Sequence, residues 1–579
     1  MENSEIADVF DQMAELLELS GENMFRIRAY RNGAKAIREL PENVADILTD
    51  SARDLKDVPG IGQTLADKSR TLVTTGSLPQ LDELRKKIPP GLIKIMHIPG
   101  LGAKKAIALH RELGVENLEQ LRTACEQHQV RQIKGFGEKT EQSILEGLTI
   151  AQSAAQRMRI DQAQTLASRI RAHMTQCASI KRLEFAGSLR RGKETVGDLD
   201  MLVISDDPAA VMDHFGQLRG IASVIGRGDT KMSLRVDDQF QVDMRVVPQA
   251  SFGAALQYFT GSKEHNVAIR QRAKKMGMTV NEYGVAKLSA PGELFAGASE
   301  EELYSTLGLQ WIPPELREGR HEIQWAGSDH GFPNLVQLRD MQGDLHMHTV
   351  ASDGTESIEA MAAAAAKRGL KYIAITDHSK RVSMARGLGP ERLLAQWAEI
   401  DQLNRNPANG PAVRILKGIE CDILESGPLD LPDEVLEQAD WVVASVHYGQ
   451  KQSRQEITAR IVGALCNPHV DCIAHPTGRL IGRRQPYEVD MSAVIQTAAN
   501  ERKCLELNAH PTRLDLSESF LMSAIAAGVP ISINTDAHTI DGMDVMSFGV
   551  IQARRAGVLA DQVINTWPIT RLLSWLERN

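Results

Sequence analysis

Histidine and acidic side chains recur at the ends of short apolar segments in the carboxyl-terminal part of the chain. The candidate metal ligands there are His346, His348, Asp353, His378, Glu420, His447, His475, Asp536 and His538. His346 and His348 are two residues apart on an extended segment, so their imidazoles point to the same side. A single histidine at a strand end is ordinarily only a hydrogen-bonded or solvated side chain. A succession of such residues therefore predicts a metal centre.

The ligand types indicate which ions and which reaction to expect. Imidazole and carboxylate groups suit zinc, manganese or iron better than calcium. Two such ions ~3.5 to 4 Å apart can hold the attacking and leaving oxygens of a phosphoester, and one can lower the pKa of a bound water toward ~7. The predicted reaction is phosphoester hydrolysis. Asp344 and Asp377 stand beside ligands and are expected to orient imidazoles, whereas His469 and His510 are expected to be incidental.

The elements that must position these residues are short strands that alternate with helices. After Gly343, apolar segments such as YIAIT, RILKGIE, WVVASVH and CLELN alternate with helical patterns such as Ile358 to Arg368. This rhythm predicts a βα barrel, in which the carboxyl ends of all strands meet at one face. Residues far apart in the sequence would then share one pocket.

Three aspartates form a second candidate site in the middle of the chain. Asp198 and Asp200 flank Leu199 on a predicted strand, so both carboxylates share a face. Asp243 lies on the polar face of the predicted strand FQVDMRVV. Three carboxylates can hold two magnesium ions, one on a triphosphate and one activating a 3′-hydroxyl. The pattern predicts nucleotidyl transfer in an α/β region that begins beyond Arg157.

A glycine-containing turn precedes the first two of these aspartates. The predicted strand LEFA leads into Gly187 and Ser188 and then into a helix. Glycine lets a phosphate approach the backbone, and the amino terminus of a helix offers unpaired N–H groups to an anion. Arg191, one turn later, could neutralise a triphosphate. On pattern alone, Tyr258 and Phe259 further along are core aromatic residues.

The amino-terminal region, from Glu5 to about Leu148, has the pattern of short amphipathic helices. Turns between these helices contain paired glycines, namely Gly60 with Gly62, Gly100 with Gly102 and, in a weaker copy, Gly135 with Gly137. Such a turn exposes backbone amides that can bind a DNA phosphate without reading the bases. Any one of these glycines alone is more often an ordinary helix cap.

Composition excludes several other classes of protein. The chain has 579 residues, which at ~150 residues per domain predicts several domains. Apolar residues at 42% and charged residues at 24% exclude fibrous and disordered chains. The six cysteines form no CxxC pair, so neither a disulfide framework nor a thiolate zinc site is indicated. The net charge of -9 argues against coating of nucleic acid by bulk charge, and the lack of a long apolar run predicts a cytoplasmic protein without a membrane partner.

The order of the carboxyl-terminal motifs resembles the PHP (polymerase and histidinol phosphatase) superfamily. The HxH, SDG, TDH, GIE, SVH, HP and TDAH elements all occur in the family's order over residues 341 to 579. The resemblance implies a distorted seven-stranded βα barrel that holds up to three zinc or manganese ions. It also implies that every candidate ligand named above binds metal, and hence that the site is active.

Residues 1 to about 320 resemble family X DNA polymerases. The resemblance implies that Asp198, Asp200 and Asp243 bind catalytic Mg²⁺ or Mn²⁺. It implies contacts to the triphosphate, the sugar and the nascent base pair from Gly187, Ser188, Arg191, Tyr258, Phe259, Gly261, Asn266 and Arg270. The paired-glycine turns resemble helix-hairpin-helix elements that grip DNA. Lys68 falls at the position of a Schiff-base lysine, although Thr64 stands where the family has a supporting lysine.

These resemblances imply a multidomain α and α/β chain. The expected regions are a helical lyase-like domain (1–85), helical fingers (86–155), a nucleotidyltransferase palm (156–250), a thumb (251–319), a linker (320–340) and the PHP barrel (341–579). The expected enzyme is a monomeric, nucleoid-associated repair polymerase that fills gaps in primed DNA with dNTPs. Its barrel is expected to act as a 3′-to-5′ exonuclease, to clean blocked 3′ ends and to incise abasic sites.

Two other interpretations stay open. In one, only the barrel is active, as a phosphoesterase, and the polymerase half is a scaffold that docks DNA. In the other, the chain adds nucleotides to RNA without a template. The intact aspartate triad argues against the first, and the hairpin turns with the YFTG segment favour DNA over the second.

Overall fold

A computed structural model describes residues 1, 3–38, 40, 44–49, 53–96, 98, 101–154, 157–237, 240–405 and 413–577 of the chain. The chain divides into two compact units, Met1–Arg157 and Met158–Asn579. Among the described residues, the first unit is helical and the second carries all of the sheets. Within those same residues, no helix is both long enough and apolar enough to cross a membrane.

The first unit is built from short helices around one core. They are α1 (Asn3–Leu19), α2 (Met24–Arg38), α3 (Val44–Thr49), α4 (Gln63–Thr75), α5 (Pro79–Lys87), α6 (Gly91–Met96), α7 (Gly102–Leu113), α8 (Leu118–Glu126) and α9 (Glu138–Ala154), with 3-10 turns at Leu55–Asp57 and Val130–Gln132. Apolar side chains three and four residues apart face the core, as the buried Ile6, Phe10 and Met13 of α1 do. The ring of Phe10 meets that of Tyr30 edge to face, at 5.7 Å between centroids.

A five-stranded sheet begins the second unit. The strands of this region are β1 (Met158–Arg159), β2 (Arg182–Phe185), β3 (Thr195–Val196), β4 (Asp198–Ile204), β5 (Ile221–Arg227), β6 (Lys231–Val236) and β7 (Phe240–Val246), and its helices are α10 (Ile160–Met174), α11 (Gly187–Arg190) and α12 (Pro208–Phe215). The sheet has the order β2-β4-β7-β6-β5, while β1 and β3 pair separately. The predicted strands that became β2, β4 and β7 are confirmed. The sequence pattern does not reveal β5, because that edge strand is almost wholly exposed.

The next region packs helices with a three-stranded antiparallel sheet of order β10-β9-β8, whose bounds follow. Its elements are α13 (Phe252–Thr260), α14 (Lys263–Lys275), β8 (Met278–Asn281), β9 (Gly284–Lys287), β10 (Ala290–Ala296), α15 (Glu300–Thr306) and, within the expected linker, α16 (Glu322–Ala326). A 3-10 turn at Pro314–Leu316 and another at Leu338–Asp340 flank α16. Glu322 and Val336 are buried, so the segment 320–340 is packed into the unit rather than exposed as a free connection.

Seven parallel strands in chain order then form a nearly closed barrel. They are β11 (Gly343–Asp344), β12 (Tyr372–Ile375), β13 (Arg414–Asp422), β14 (Trp441–Ser445), β15 (Cys472–Ile473), β16 (Cys504–Asn508) and β17 (Ile531–Asn534). The chain after β11 meets the chain after β17, where the amide of His348 donates to the carbonyl of Ala537 at 2.9 Å. The predicted seven-stranded βα barrel is confirmed, as is the mixed α and α/β fold class.

Helices cover the outside of the barrel. They are α17 (Ile358–Lys367), α18 (Pro390–Arg405), α19 (Asp433–Leu436), α20 (Arg454–Leu465), α21 (Met491–Asn500), α22 (Glu518–Ala526), α23 (Met546–Arg555) and α24 (Ile569–Leu576). Ile373 and Ile375 pack in the core that includes residues of these helices. Tyr372 and Trp441 belong to a second core, which fills the barrel. Because both faces of the strands are buried, the strands have nearly continuous apolar sequences, and polar residues are left for the strand ends.

Candidate functional site

The predicted metal ligands of the barrel lie together at the carboxyl ends of its strands. They form three groups, and within each group the ligand atoms lie within 4.8 Å of one another. The groups are His346, His348 and Asp536; His348, Asp353, His378 and His538; and His378, Glu420 and His447. His475 joins them through Nε2, which is 3.1 Å from Oε1 of Glu420. The structure thus gathers the whole predicted set into one cluster, called the barrel cluster below.

Glu420, near the end of β13, is the centre of the barrel cluster. Its Oε2 lies 2.7 Å from Nδ1 of His378, and its Oε1 lies 3.4 Å from Nε2 of His447. Although the first pair is close, neither atom makes a hydrogen bond within the described part of the chain. A nitrogen and an oxygen that lie close together without hydrogen-bond alignment are arranged as two ligands of one cation are.

In the described part of the chain, buried nitrogen and oxygen atoms of the barrel cluster lack hydrogen-bond partners. Among the described residues, no hydrogen bond reaches His346 Nε2, His348 Nδ1, His378 Nδ1, His475 Nδ1 or Glu420 Oε2. Buried polar atoms are almost always satisfied in folded proteins, so unsatisfied ones call for a ligand. Imidazole and carboxylate donors that converge in this way fit divalent zinc, manganese or iron. The side chains present therefore fit a metal centre.

The electrostatics of the barrel cluster favour a cation. Burial lowers the pKa of His378, but the carboxylates of Glu420 and Asp353 outweigh burial and raise that pKa to about 10. Burial and the neighbouring His378 and His538 lower the pKa of His348 to about 4. Burial also opposes ionisation of Glu420, yet the surrounding histidines hold its pKa well below the ordinary value. Metal ions would replace the protons that some of these histidines otherwise carry.

Two acidic residues that the sequence analysis missed hold ligands in place. Glu506 on β16 accepts a hydrogen bond from Nδ1 of His346 at 2.7 Å and another from the amide of His475 at 2.7 Å. Asp422 on β13 lies 3.1 Å from Nδ1 of His447. Because a carboxylate only accepts, each Nδ1 carries the proton and leaves Nε2 for a metal. The signal for Glu506 is an acidic residue inside the apolar strand CLELN.

The two aspartates expected to orient imidazoles contact hydroxyl and amide groups instead. Asp344 accepts a hydrogen bond from Oγ1 of Thr535 at 2.5 Å. Asp377 accepts hydrogen bonds from the amide of Thr349 at 2.8 Å and from its Oγ1 at 2.6 Å. The predicted contact to imidazoles is therefore wrong, because these carboxylates fix the segments that carry the ligands rather than the rings. His510, expected to be incidental, lies two residues past β16.

Replacing Glu506 by glutamine is expected to weaken manganese binding at the barrel about 10- to 100-fold, because Nδ1 of His346 loses a charged acceptor. Titration of the purified protein with Mn²⁺ measures the effect. The matched control is Glu501→Gln, an exposed residue just after α21, which should bind like the wild type. Equal manganese affinity in both variants would contradict the role given to Glu506.

The three predicted aspartates of the five-stranded sheet lie on neighbouring parallel strands. Asp200 on β4 is in register with Asp243 on β7, and Asp198 lies two residues before Asp200 on the same face. Burial and the charges of Asp198 and Asp243 raise the pKa of Asp200 to about 7. Divalent cations between the carboxylates would relieve this repulsion. The structure thus brings the predicted triad together.

The raised pKa of Asp200 predicts how magnesium binding depends on pH. Because this pKa lies above the ordinary value, the folded protein favours the neutral carboxyl of Asp200. Ionising that carboxyl as the pH rises toward about 7 lowers the stability of the fold, and a bound cation offsets the loss. Protons compete with Mg²⁺ below that pH. We expect the Mg²⁺ concentration for half-saturation to fall about tenfold between pH 6 and pH 8. The exposed Asp206→Asn variant should keep this slope, whereas a flat profile in the wild type would contradict the assignment.

Gly187 brings backbone against this triad. It begins α11 with φ of +63°, in the left-handed region that glycine adopts without strain. A Cβ at this position would lie 2.6 Å from Oδ2 of Asp200. Ser188 follows on the same short helix. The turn therefore presents main-chain groups beside the carboxylates, which is the placement that a phosphate contact requires.

Arg191 is engaged by other protein groups in this structure. Its Nε donates to Oε1 of Glu318 at 3.1 Å, and its guanidinium also donates to the carbonyl of Thr260, beside Gly261. Gly261 follows α13 with φ of +68°, and a Cβ there would lie 3.2 Å from the Arg191 guanidinium. The structure thus brings Arg191 and Gly261 together, but an incoming triphosphate would have to draw Arg191 away from Glu318.

The remaining predicted nucleotide contacts lie on α13 and α14. Tyr258 and Phe259 are half-buried, with rings 5.2 Å apart, rather than core residues. The side-chain amide of Asn266 donates to the carbonyl of Tyr258 at 2.8 Å. The Phe259 ring faces the guanidinium of Arg245 at 4.7 Å, whereas Arg270 is exposed on α14. Three of the four predicted residues are therefore adjacent.

The first and third paired-glycine turns of the first unit share one geometry. The amides of Ile61 and Phe136 donate to the carbonyls three residues earlier, at 3.0 and 2.9 Å. The glycine before each has a positive φ, +95° at Gly60 and +92° at Gly135. A left-handed conformation of this kind favours glycine. The weaker sequence copy is thus equivalent to the first in structure.

The second glycine of each turn stands where a helix begins. Gly62 precedes α4, Gly102 is the first residue of α7, and the carbonyl of Gly137 accepts the amide of Thr140 at 2.9 Å near the start of α9. Gly100 lies outside the described residues. Unpaired amides at such helix starts can bind a phosphate.

Lys68, the predicted Schiff-base lysine, lies on α4 next to α2. Its Nζ donates to Oε1 of Gln80 at 2.6 Å and lies 5.9 Å from the centre of the Tyr30 ring. The aromatic ring stabilises the charged ammonium, whereas a nucleophilic lysine must lose its proton. Thr64 lies one helical turn before Lys68 and brings no second cation.

Comparison with known protein families assigns most of the first unit, part of the middle of the chain and part of the barrel. The family described as Helix-hairpin-helix domain matches residues 1–78, and the SAM-like Helix-hairpin-helix tandem matches residues 92–149. The DNA polymerase beta thumb family matches residues 255–318, which include most of α13 together with α14 and α15. The PHP domain family matches residues 344–510, which include the ligands from His346 to His475.

Comparison with individual proteins extends the similarity to the whole chain. The chain is 41% identical over 581 residues to DNA polymerase/3'-5' exonuclease PolX of Bacillus subtilis (strain 168), with 100% of both chains covered. It is 31% identical over 234 residues to a probable phosphatase of Thermoanaerobacter sp. (strain X514), covering 38% of this chain and 89% of the relative. A probable phosphatase of Acetivibrio thermocellus is 35% identical over 205 residues, covering 34% of this chain and 78% of the relative. The chain belongs to the family X DNA polymerases that carry a PHP domain.

Proposed function

We propose that the chain is a DNA-directed DNA polymerase and a 3′-to-5′ exonuclease in one polypeptide. The observation that carries the proposal is the presence of two carboxylate-rich clusters on separate sheets, the aspartate triad and the barrel cluster. The full-length relative from Bacillus subtilis has both activities in its name. Because the second unit of a single chain holds both clusters, we propose that the monomer is the active form.

In the polymerase half, the aspartate triad would hold Mg²⁺ or Mn²⁺. When bound, these ions neutralise the triphosphate and activate the 3′-hydroxyl of the primer. Asp200 and Asp243 lie side by side on neighbouring strands, so both can reach an ion placed between them. Asp198 extends the same face by two residues toward the start of β4. The parallel register supports a reaction between the 3′-hydroxyl and the α-phosphate beside these three carboxylates.

The nucleotide would lie between the Gly187 turn and α13. Gly187 and Ser188 offer main-chain groups to the triphosphate, and Arg191 supplies a positive charge once it leaves Glu318. Tyr258 and Phe259 lie beside the sugar in this arrangement. The side chain of Asn266 is held by the Tyr258 carbonyl, next to the proposed nascent base pair, with Arg270 on the same helix and Gly261 at the end of α13.

In the barrel, the clustered histidines and carboxylates would hold zinc or manganese ions, up to three. When bound, such ions supply a hydroxide near neutral pH and stabilise the leaving oxygen of a phosphodiester. Glu506 keeps the proton of His346 on Nδ1, and Asp422 does the same for His447. Both Nε2 atoms would therefore be available to bind such ions. Glu420 contributes charge to several ligands at once.

The first unit would grip gapped or primed DNA without sequence preference. The amides of the paired-glycine turns at Gly60, Gly102 and Gly135 are the proposed phosphate contacts. Lys68 is the proposed nucleophile for removal of a 5′ sugar phosphate. The proposed functional regions are residues 1–85, 86–155, 156–250, 251–319 and 341–579, and the proposed place of action is the nucleoid.

Removal of a 3′-terminal phosphate is a second proposed reaction of the barrel. Relatives that share only part of the chain are named probable phosphatases, which favours a site that also accepts monoesters. Incision at abasic sites is a third proposed reaction, since it breaks the same kind of bond, a phosphodiester, as the exonuclease reaction does. Duplexes that end in a 3′-phosphate or contain an abasic site test these reactions separately.

A gapped duplex with an end-labelled primer tests the proposal in one assay. With dNTPs, Mg²⁺ and Mn²⁺, the primer should lengthen by the number of template residues in the gap. Without dNTPs, the primer should shorten from its 3′ end. Shortening without any extension would leave only the phosphoesterase interpretation, and extension that ignores the template or prefers RNA primers would favour the nucleotidyltransferase interpretation.

A further inference from the structure

The loop after the proposed triphosphate turn is covered by a helix of the barrel. Helix α23 lies over this loop, where Nε2 of Gln552 donates to the carbonyl of Gly192 at 2.7 Å. One turn later, Nη1 of Arg555 donates to the carbonyl of Arg191 at 2.6 Å. A Cβ on Gly192 would clash with the side chain of Ile551, so the backbone of the loop packs directly against α23. A helix of the barrel thus contacts the main chain of the loop that follows the Gly187 turn.

Arg555 joins three segments of the chain from a buried position. Its Nη2 lies 2.7 Å from Oε2 of Glu518 at the start of α22 and 3.0 Å from Oε1 of Glu318, at the end of the thumb region. The same Oε1 of Glu318 accepts Nε of Arg191 at 3.1 Å. Arg191 and Arg555 therefore share one carboxylate oxygen. A planar guanidinium can serve all of these acceptors at once, whereas a lysine cannot.

Positive charge exceeds negative charge around Arg555. Lys193 lies 3.4 Å from Glu318, and Arg320 lies 2.5 Å from Glu518. With Arg191 and Arg555, these make four cations around two carboxylates, Glu318 and Glu518. Burial opposes ionisation of Glu318, but Arg555, Lys193 and Arg191 hold its pKa below the ordinary value. Glu318 thus keeps two other cationic partners when Arg191 leaves.

We propose that Arg555, in the barrel, is a positioning residue for dNTP binding in the polymerase half. The inference rests on the proposed function, in which Arg191 turns from Glu318 to the triphosphate. Arg555 holds the main chain of Arg191 while that side chain moves, and it neutralises the carboxylate that Arg191 leaves behind. Without Arg555, the loop would lose an anchor, and the departure of Arg191 would leave Glu318 with less compensation. Both effects weaken dNTP binding.

Steady-state gap filling by the full chain tests the role of Arg555. Arg555→Gln is expected to raise KM for dNTP about tenfold while kcat at saturating dNTP changes less than about twofold, because a displaced phosphate contact acts on binding. Arg555→Lys keeps the charge but loses the fork, so its KM should lie between those of the wild type and Arg555→Gln. Exonuclease activity of each variant should equal that of the wild type.

The neighbouring Arg554 provides a matched control on the same helix. Arg554 pairs with Glu315 at 2.7 Å and donates to the carbonyl of Val336. Neither contact involves the loop that contains Arg191 and Gly192. Arg554→Gln should leave KM for dNTP unchanged. If Arg555→Gln does not fold, Gln552→Leu removes only the bond to the Gly192 carbonyl and should still raise KM for dNTP.

The outcomes separate this inference from the proposed function. A wild type that extends primers, with an unchanged KM for dNTP in the folded Arg555 and Gln552 variants, overturns the inference alone. Equal losses of polymerase and exonuclease activity in Arg555→Gln also overturn it, since they mark a general structural defect. A wild type that incorporates no dNTP overturns the proposed function and, with it, the role of Arg555. A selective rise in KM supports both.

Discussion

Replacing Glu420 by glutamine is expected to reduce exonuclease activity about 1000-fold or more while dNTP incorporation stays at the wild-type rate. The size of the loss follows from the several kcal/mol that bound metal ions contribute to phosphoester hydrolysis. Glu420 lies within 4 Å of His346, His378, His447 and His475, so one substitution removes a negative charge that several ligands share. Shortening of a labelled 3′ end in Mn²⁺, without dNTPs, measures the activity.

The substitution keeps the shape of the side chain, which separates charge from packing. Glu437→Gln, an exposed residue just after α19, is the matched control and should degrade DNA like the wild type. Primer extension by Glu420→Gln reports whether the protein is folded. If the variant kept the full exonuclease rate, the barrel cluster would not be the hydrolytic centre. If it lost extension as well, the two activities would not belong to separate sites.

The reverse separation is expected for Asp200→Asn. Asp200 is the middle carboxylate of the triad, in register with Asp243 and next to Gly187. Loss of its charge should lower dNTP incorporation about 1000-fold or more, because the ions that organise phosphoryl transfer lose a ligand. The asparagine would also remove the repulsion that raises the pKa of Asp200, so the folded protein should be no less stable. Single-nucleotide incorporation into a gapped duplex measures the loss.

Asp206→Asn, two residues beyond the other end of β4, provides the control. Asp206 is exposed and pairs with Lys181, so its loss should have little effect on stability or incorporation. Exonuclease activity should persist in both aspartate variants. Incorporation by Asp200→Asn near the wild-type rate would remove the triad from catalysis.

Local patterns in the sequence were enough to predict the architecture of both candidate sites. The spacing of His346 and His348, and of Asp198 and Asp200, places each pair on one face of an extended chain, and the structure has them there. Alternation of apolar strands with helices predicted the barrel that gathers ligands from distant positions. These features depend on periods of two and of three to four residues, which a single sequence shows directly.

Features that depend on contacts between distant segments could not be predicted in the same way. Glu506 and Asp422 bond to ligand imidazoles across strands, and neither belongs to a recognised motif. The buried contacts of Arg555 and the packing of residues 320–340 arise from tertiary structure. Arg191 was predicted to serve a triphosphate, but its bond to Glu318 is visible only when the fold brings them together. The residues of the two candidate sites were thus more predictable than the residues that hold them in place.

Anomalous diffraction from crystals grown with Mn²⁺ tests most directly the claim that one chain holds two metal-binding sites. We expect peaks among the ligands around Glu420 and a separate peak or pair of peaks between Asp200 and Asp243. Peaks should vanish only from the barrel in Glu420→Gln and only from the sheet in Asp200→Asn. Saturating manganese that leaves either cluster without a peak in the wild type would contradict the account.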